Sequence, residues 1–235
     1  MIAIYKREMK AYFTSPIAYI IIIAMAFYTS ISFVSDNLYY ASANTLYVFS
    51  AAFSIMIILM PLLTMRLFTE ERRQKTDQCL LCAPVNLPSI VAGKMLAAST
   101  VLLFSMIIFI IYALTLYGLA GNLAWAVFWG NFLGLFLLGT AYIAIGTFIS
   151  ATTENQVVAA IISFIVCMLL YQVDIFAVNI QNKLLSTILV EIGFYTRYNE
   201  FSSGLMSLPA VFFFVSVALV FGFLTVQLLE RRRWS

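Results

Sequence analysis

Between Lys94 and Glu154 the chain runs for 59 residues, Met95 to Thr153, without one Asp, Glu, Lys or Arg. As a single helix that stretch would be roughly 90 Å long at about 1.5 Å per residue. The hydrocarbon core of a bilayer is only about 30 Å thick. Burial in a soluble core is no alternative. The whole chain has 235 residues, 63% hydrophobic and 10% charged, whereas soluble domains average about 45–50% apolar and about 25% charged. The stretch must therefore cross a membrane, turn and cross again. Its one turn-like break is Tyr117-Gly118-Leu119-Ala120-Gly121-Asn122.

Four other charge-free runs are long enough to cross: Ala11 to Ser35, Asn37 to Met65, Asn155 to Val173 and Phe201 to Leu229. The expectation is a single all-α integral membrane domain over residues 1–235, with six transmembrane helices at about 17–35, 46–65, 90–117, 123–151, 156–174 and 208–229. The basic start followed by an apolar run resembles a signal peptide, but no small-residue cleavage site follows, so it reads as a retained first span.

Six spans place both termini on one side. That side collects eleven basic residues: Lys6, Arg7, Lys10, Arg66, Arg72, Arg73, Lys75, Lys94 and Arg231 to Arg233. The other side has two, Lys183 and Arg197. Eleven against two predicts cytoplasmic termini in a multi-pass protein of the inner or plasma membrane. The net charge of +3 is too small for a nucleic-acid reader. Tyr19, Tyr39, Tyr40, Trp125, Trp129 and Trp234 fall near expected span ends, as interfacial belts do.

Three segments are not plain spans. From Ile2 to Phe13, apolar Ile2, Tyr5, Met9, Tyr12 and Phe13 share one helical face and Lys6, Arg7 and Lys10 the other, which predicts an N-terminal interfacial helix stopped at Ser15-Pro16. Between the second and third spans, Thr69 to Ala83 predicts an amphipathic cytoplasmic helix. Thr69 is its cap candidate, Glu70 and Glu71 stand in the first turn, Glu71 and Lys75 are spaced i,i+4, Leu80 and Leu81 are apolar, and Pro84 ends it. Acids gain nothing beside an anionic inner leaflet, so Glu70, Glu71 and Asp77 point to a protein partner. Between the fifth and sixth spans, residues 175–207 are too polar to span, and Leu184, Leu185, Ile188, Leu189 and Ile192 have helical spacing. Short outer-leaflet helices are expected there.

Catalytic signals are missing. There is no histidine and no phosphate-binding G-x-x-x-x-G-K-[ST], so the chain hydrolyses no nucleotide itself and no enzyme activity is expected. Cys79 and Cys82 have C-x-x-C spacing, but a zinc site wants four ligands and the remaining cysteine, Cys167, is distant. No metal site is expected. Gly130 and Gly134, with Gly139 and Gly146, mark close helix packing. Asp174, beside Gln172, lies either within the bilayer, where an ionisable group is a functional candidate, or among outer headgroups.

The motif string itself resembles type-2 ABC transporter permeases, in particular the branch of the gliding-motility and nitrous-oxide-reductase accessory permeases. Tyr5 to Phe13 followed by Ser15-Pro16-Ile17-Ala18-Tyr19 is similar to the family's start. Pro61 to Arg66, then Glu70 to Arg73, Thr76 and Ala83-Pro84-Val85, is similar to the segment after its second helix. Gly93-Lys94 and Thr153-Glu154-Asn155-Gln156 fit in order. Asp77, Cys79 and Cys82 depart from it, standing where aliphatic residues or Thr are usual.

The resemblance implies a permease subunit, working as an exporter, that couples hydrolysis by a separate cytoplasmic ATP-binding subunit to substrate movement. ATP and magnesium would belong to that partner and no cofactor to this chain. It also implies a second permease half, identical or homologous, and room for an extracytoplasmic accessory subunit. The loop helix becomes the coupling helix, contacting the ATPase through Glu70, Glu71, Arg72, Arg73, Thr76, Leu80 and Pro84, with Thr153, Glu154 and Asn155 as a second loop contact. Two other readings remain: a stand-alone channel or facilitator, which the scarcity of charge in the spans opposes, and an ATPase-driven membrane anchor doing mechanical or signalling work.

Overall fold

The computed structural model of the chain describes residues 1–40, 42, 44–75, 86–121, 123–179, 189, 191–202 and 207–234. Among these residues there is no strand, and six helices are long and apolar enough to cross a membrane: Pro16–Tyr39, Leu46–Arg73, Leu87–Leu119, Trp125–Thr152, Gln156–Asp174 and Leu208–Arg233. The number agrees with the six expected spans.

Helix α1 (Ile2–Thr14) stops at Ser15, whose extended backbone opens α2 (Pro16–Ser32) with its side chain accepting from the Ile17 N–H and Pro16 in the first turn. Helix α2 then widens into a π-helical stretch, Phe33–Tyr39. Buried Asn37 steadies the following turn by donating to the carbonyls of Ser42 at 2.7 Å and Asn44 at 2.9 Å. Helix α3 (Leu46–Thr64) carries Pro61 in its last turn and leads into the short α4 (Thr69–Arg73). Helix α5 (Leu87–Ala120) begins at a Leu-Pro pair and ends where Gly121 takes φ 69°, the left-handed conformation glycine adopts without steric cost. Helices α6 (Trp125–Thr152), α7 (Gln156–Asn179), α8 (Phe194–Ser202) and α9 (Leu208–Trp234) follow.

Helix α6 is the axis of the bundle, packed against α3, α5, α7, α8 and α9. In its most apolar window 67% of residues are buried, against 11% in α9 and 17% in α7, which face outward. The glycines explain how α6 takes so many neighbours. A Cβ on Gly134 would lie 2.8 Å from the Phe201 ring, one on Gly139 would strike Leu102, and one on Gly146 would strike Thr64. These are packing notches: with lipid on the outside, close approach rather than water exclusion drives helix association.

One expected element differs. Among the described residues, the cytoplasmic helix expected from Thr69 to Ala83 is helical from Thr69 to Arg73 and leaves that form at Gln74 and Lys75. Lys75 has φ 55°, a left-handed conformation that no α-helix continues through. Thr69 does not cap it; its hydroxyl donates back to the Met65 carbonyl. Thr76, Asp77, Cys79, Leu80, Leu81, Cys82 and Pro84 lie outside the described residues, as do Leu184, Leu185 and Ile188. Within the expected 175–207 segment, α8 is a short helix packed on the bundle. It inserts Phe194, Tyr198 and Phe201, all buried, against α6.

Candidate functional site

The polar residues of α1, α4 and the start of α5 meet at the end of the bundle that carries both termini. Lys94, seven residues into α5, is only 1% exposed. Its ammonium lies 3.2 Å from Glu8 Oε1, 3.1 Å from Glu71 Oε1 and 2.5 Å from the Leu67 carbonyl, with the Phe68 ring centroid 4.8 Å away. Arg7 closes the figure, 2.7 Å from Glu8 and 2.5 Å from Glu71. The result is a ring of alternating charge, Arg7, Glu8, Lys94 and Glu71, with no net charge. It joins three segments distant in sequence.

The ring follows from local structure. Helix α1 lies across α5 closely enough that a Cβ on Gly93 would sit 3.3 Å from Ile4. A lysine buried among apolar residues must be compensated, and two carboxylates, a carbonyl and an aromatic face do so. Arg7 is partly buried, which works against its charge. The hydrogen bonds and charges of Glu8 and Glu71 outweigh that and raise its pKa above the ordinary value.

Two further joints flank the ring. Arg66, at the end of α3, holds Glu70 at 2.6 Å and donates to Ser15 Oγ at 2.7 Å, fixing the corner between α1 and α2. Beside it the Tyr12 hydroxyl donates to the Leu63 carbonyl at 3.1 Å. Burial first, then the charge of Glu8, pushes that phenol well above its ordinary range, so it stays a neutral donor. On the other flank Arg72 meets Glu154 at 2.8 Å, and the Phe68 N–H donates to Ser150 Oγ at 3.0 Å. That second bond ties the segment just before α4 to the end of α6.

The structure thus brings the two predicted loop segments together, through Arg72 and Glu154, while sorting their residues by direction. Glu71, expected as a docking contact, is engaged internally by Arg7 and Lys94, its side chain 17% exposed. Glu70 is held by Arg66. Arg73, Gln74 and Lys75 are exposed, and Arg73 makes no ion pair among the described residues. Thr153 Oγ1 donates to the Asn155 carbonyl at 3.5 Å, and Asn155 Oδ1 accepts from Val157 N at 2.9 Å, opening α7. Sequence reasoning missed Lys94 and Glu8 as partners. The signal for Lys94 was present: one lysine against a long apolar run is a buried charge in want of a counter-charge.

At the opposite end, Asp174 is 7% exposed. Its carboxylate accepts from the backbone N–H groups of Tyr195 at 3.1 Å and Thr196 at 3.3 Å and from the Thr196 hydroxyl at 2.6 Å. It caps α8 from a different helix, where the amide dipoles favour a negative charge. A Cβ on Gly193 would overlap the carboxylate, so the glycine leaves it room to reach α8. Nearby, Arg197 pairs with Glu191 and, at 3.0 Å, with Glu200, and the Tyr198 hydroxyl lies 3.4 Å from Asn131 Oδ1. Burial raises the Tyr198 phenol above its ordinary value. Among the described residues no cluster of His, Cys, Asp or Glu could hold a metal ion.

The charged end is therefore a mechanical junction of loops and helices. In comparisons with known proteins, no curated protein matches the chain. The family model described as ABC-2 type transporter matches residues 1–183, from α1 through α7 and past both joined loop segments. A multi-pass bundle of six apolar helices, with a ring of alternating charge at the end that carries both termini, is thus a membrane component of the ABC-2 type transporter family, to which this chain belongs.

Proposed function

We propose that the chain is the membrane-spanning half of an ABC exporter, working as one permease unit over residues 1–235 and driven by a separate cytoplasmic ATP-binding subunit. Permeases of this family generally pair with such a subunit. The observation that carries the reading is the Arg72–Glu154 joint, which sets two short loop segments side by side next to the exposed Arg73-Gln74-Lys75 turn. A soluble ATPase docking there would press on α4, and α4 is bonded through Glu71 to α1 and α5 and through Arg72 to the α6–α7 corner.

The docking face then comprises Arg73 with the outer edges of Glu70 and Arg72, Thr153, Glu154 and Asn155, and on the same segment Thr76, Leu80 and Pro84. Glu71 transmits from inside. The basic excess of eleven against two puts this face and both termini in the cytoplasm, at the inner or plasma membrane. In this reading α1 is the interfacial helix, α4 begins the coupling helix and α8 belongs to the outer-leaflet side. A second permease half, identical or homologous, completes the path, with an extracytoplasmic accessory subunit as a further partner. The motif string from Tyr5 to Gln156 supports membership in the gliding-motility and nitrous-oxide-reductase accessory branch.

The test is co-purification of the ATPase with Arg73→Glu permease. The variant is expected to lose most of the bound ATPase and of its stimulation while remaining folded and inserted. Unchanged binding and stimulation would refute the docking face. Cysteine labelling completes the test: Gln74→Cys should react only from the cytoplasm and Asn122→Cys only from outside. Labelling of Gln74→Cys from outside intact cells would overturn the orientation.

A further inference from the structure

Two cavities adjoin between the first turns of α5 and the last turns of α9. The polar one, of about 430 Å³, is walled by Asn86, Ser89, Glu230 and Arg233. The apolar one, of about 640 Å³, runs from it along the bundle between Val91, Met95 and Leu96 on one side and Leu219, Phe223 and Val226 on the other. Pro88 and Glu230 line both, so the two form one groove with a charged mouth and an apolar trough. Its floor is kept low by Gly222, where an added Cβ would find nothing nearer than Met95 Sδ at 3.6 Å.

The mouth carries both signs. Glu230 and Arg233 are exposed and stand i,i+3 on α9, a spacing at which the two could pair. They do not, and neither makes an ion pair or hydrogen bond among the described residues. A plain lipid-facing helix needs neither a trough nor a carboxylate beside three arginines. An anionic headgroup would be repelled by Glu230, and a soluble anion would have no use for the trough. A molecule with a cation and an anion close together and an acyl chain beneath satisfies every wall.

We propose that this groove binds one phospholipid with a primary-amine headgroup, in the leaflet on the side of the termini. Its ammonium would donate to Glu230, its phosphodiester would meet Arg233, and one acyl chain would lie over Gly222. The site goes beyond the transport reading. It requires only that the helices span a membrane, and its test uses the permease without any ATPase.

The experiment is native mass spectrometry of the full chain released from micelles holding equal amounts of phosphatidylethanolamine, phosphatidylcholine and phosphatidylglycerol with identical acyl chains. The first two differ only in the methyl groups on nitrogen, so their ratio reads the hydrogen bond to Glu230. A charge-assisted hydrogen bond of ordinary strength corresponds to a preference for the primary amine of roughly tenfold. Glu230→Gln, an exposed change, should bring that ratio to about one by lowering retention of phosphatidylethanolamine to the level of phosphatidylcholine. Gly222→Phe, with its fold checked by its elution volume, should lower retention of all three. Equal retention of the two zwitterionic lipids by the wild type, a ratio unmoved in Glu230→Gln, or a win for phosphatidylglycerol would each overturn the proposal. The last would leave only a basic patch on an anionic surface.

Discussion

The two ends of the bundle are held by opposite means. At the end with the termini, α1, α4 and α5 are joined by a ring of four formal charges, flanked by two more ion pairs. At the far end one carboxylate, Asp174, takes three neutral donors of α8, and Phe201 fills the Gly134 notch of α6 while Phe194 and Tyr198 are buried beside it. Ion pairs between separate segments keep most of their attraction over small displacements, because Coulomb energy falls only as the inverse of distance. A helix cap and a ring seated on a glycine lose theirs within fractions of an ångström. One end is thus built to shift as a connected unit, and the other to stay in register.

The largest effect is expected from Lys94→Met. It removes the central cation of the ring, leaving Glu8 and Glu71 facing each other beside the Leu67 carbonyl. Breaking a buried pair in this way costs about 3–5 kcal/mol, measured as a loss of thermal stability in detergent. A loss below about 1 kcal/mol would mean that the ring is solvated.

Next comes Gly193→Ala at the far end. The new methyl group displaces the Asp174 carboxylate, and overpacking of this kind costs about 1–3 kcal/mol. Asp174→Ala should cost about 1–2 kcal/mol, the usual value of a cap, with little dependence on salt. Salt sensitivity at Asp174 equal to that of the charged end would erase the contrast. The smallest effect is expected at Glu154→Gln. Its side chain is 69% exposed, so the stability change should stay within about 1 kcal/mol and shrink further in high salt.

Much of the fold was legible because lipid leaves few options. Charge-free runs of spanning length, one internal turn ending at Gly121 and a one-sided distribution of arginine and lysine define six spans from one-dimensional information alone. Helix ends were less legible than span ends. Helix α7 continues to Asn179, past the apolar span that ends at Asp174 as expected, because the Asp174 carboxylate caps α8 rather than closing its own helix. The site was legible only as a set of polar residues, not in its directions. Glu71 looks like surface in any linear window. It turns inward because Arg7 and Lys94, on helices distant in sequence, converge on it. The partner of the Phe68 N–H is Ser150 Oγ, a bond no local capping rule could find. The break at Lys75 has no local signal either, since nothing in Arg73-Gln74-Lys75 demands a left-handed residue.

The central claim is that Glu71 is an internal brace bonded to Lys94 rather than a surface residue. A double-mutant cycle tests it most directly, with the stabilities of wild type, Glu71→Gln, Lys94→Met and the double variant measured in the same detergent. A direct ion pair predicts a coupling energy of about 1–3 kcal/mol, the double variant being more stable than the sum of the single losses implies. Additivity within about 0.5 kcal/mol would show that the two side chains do not sense each other, and would contradict the charge ring.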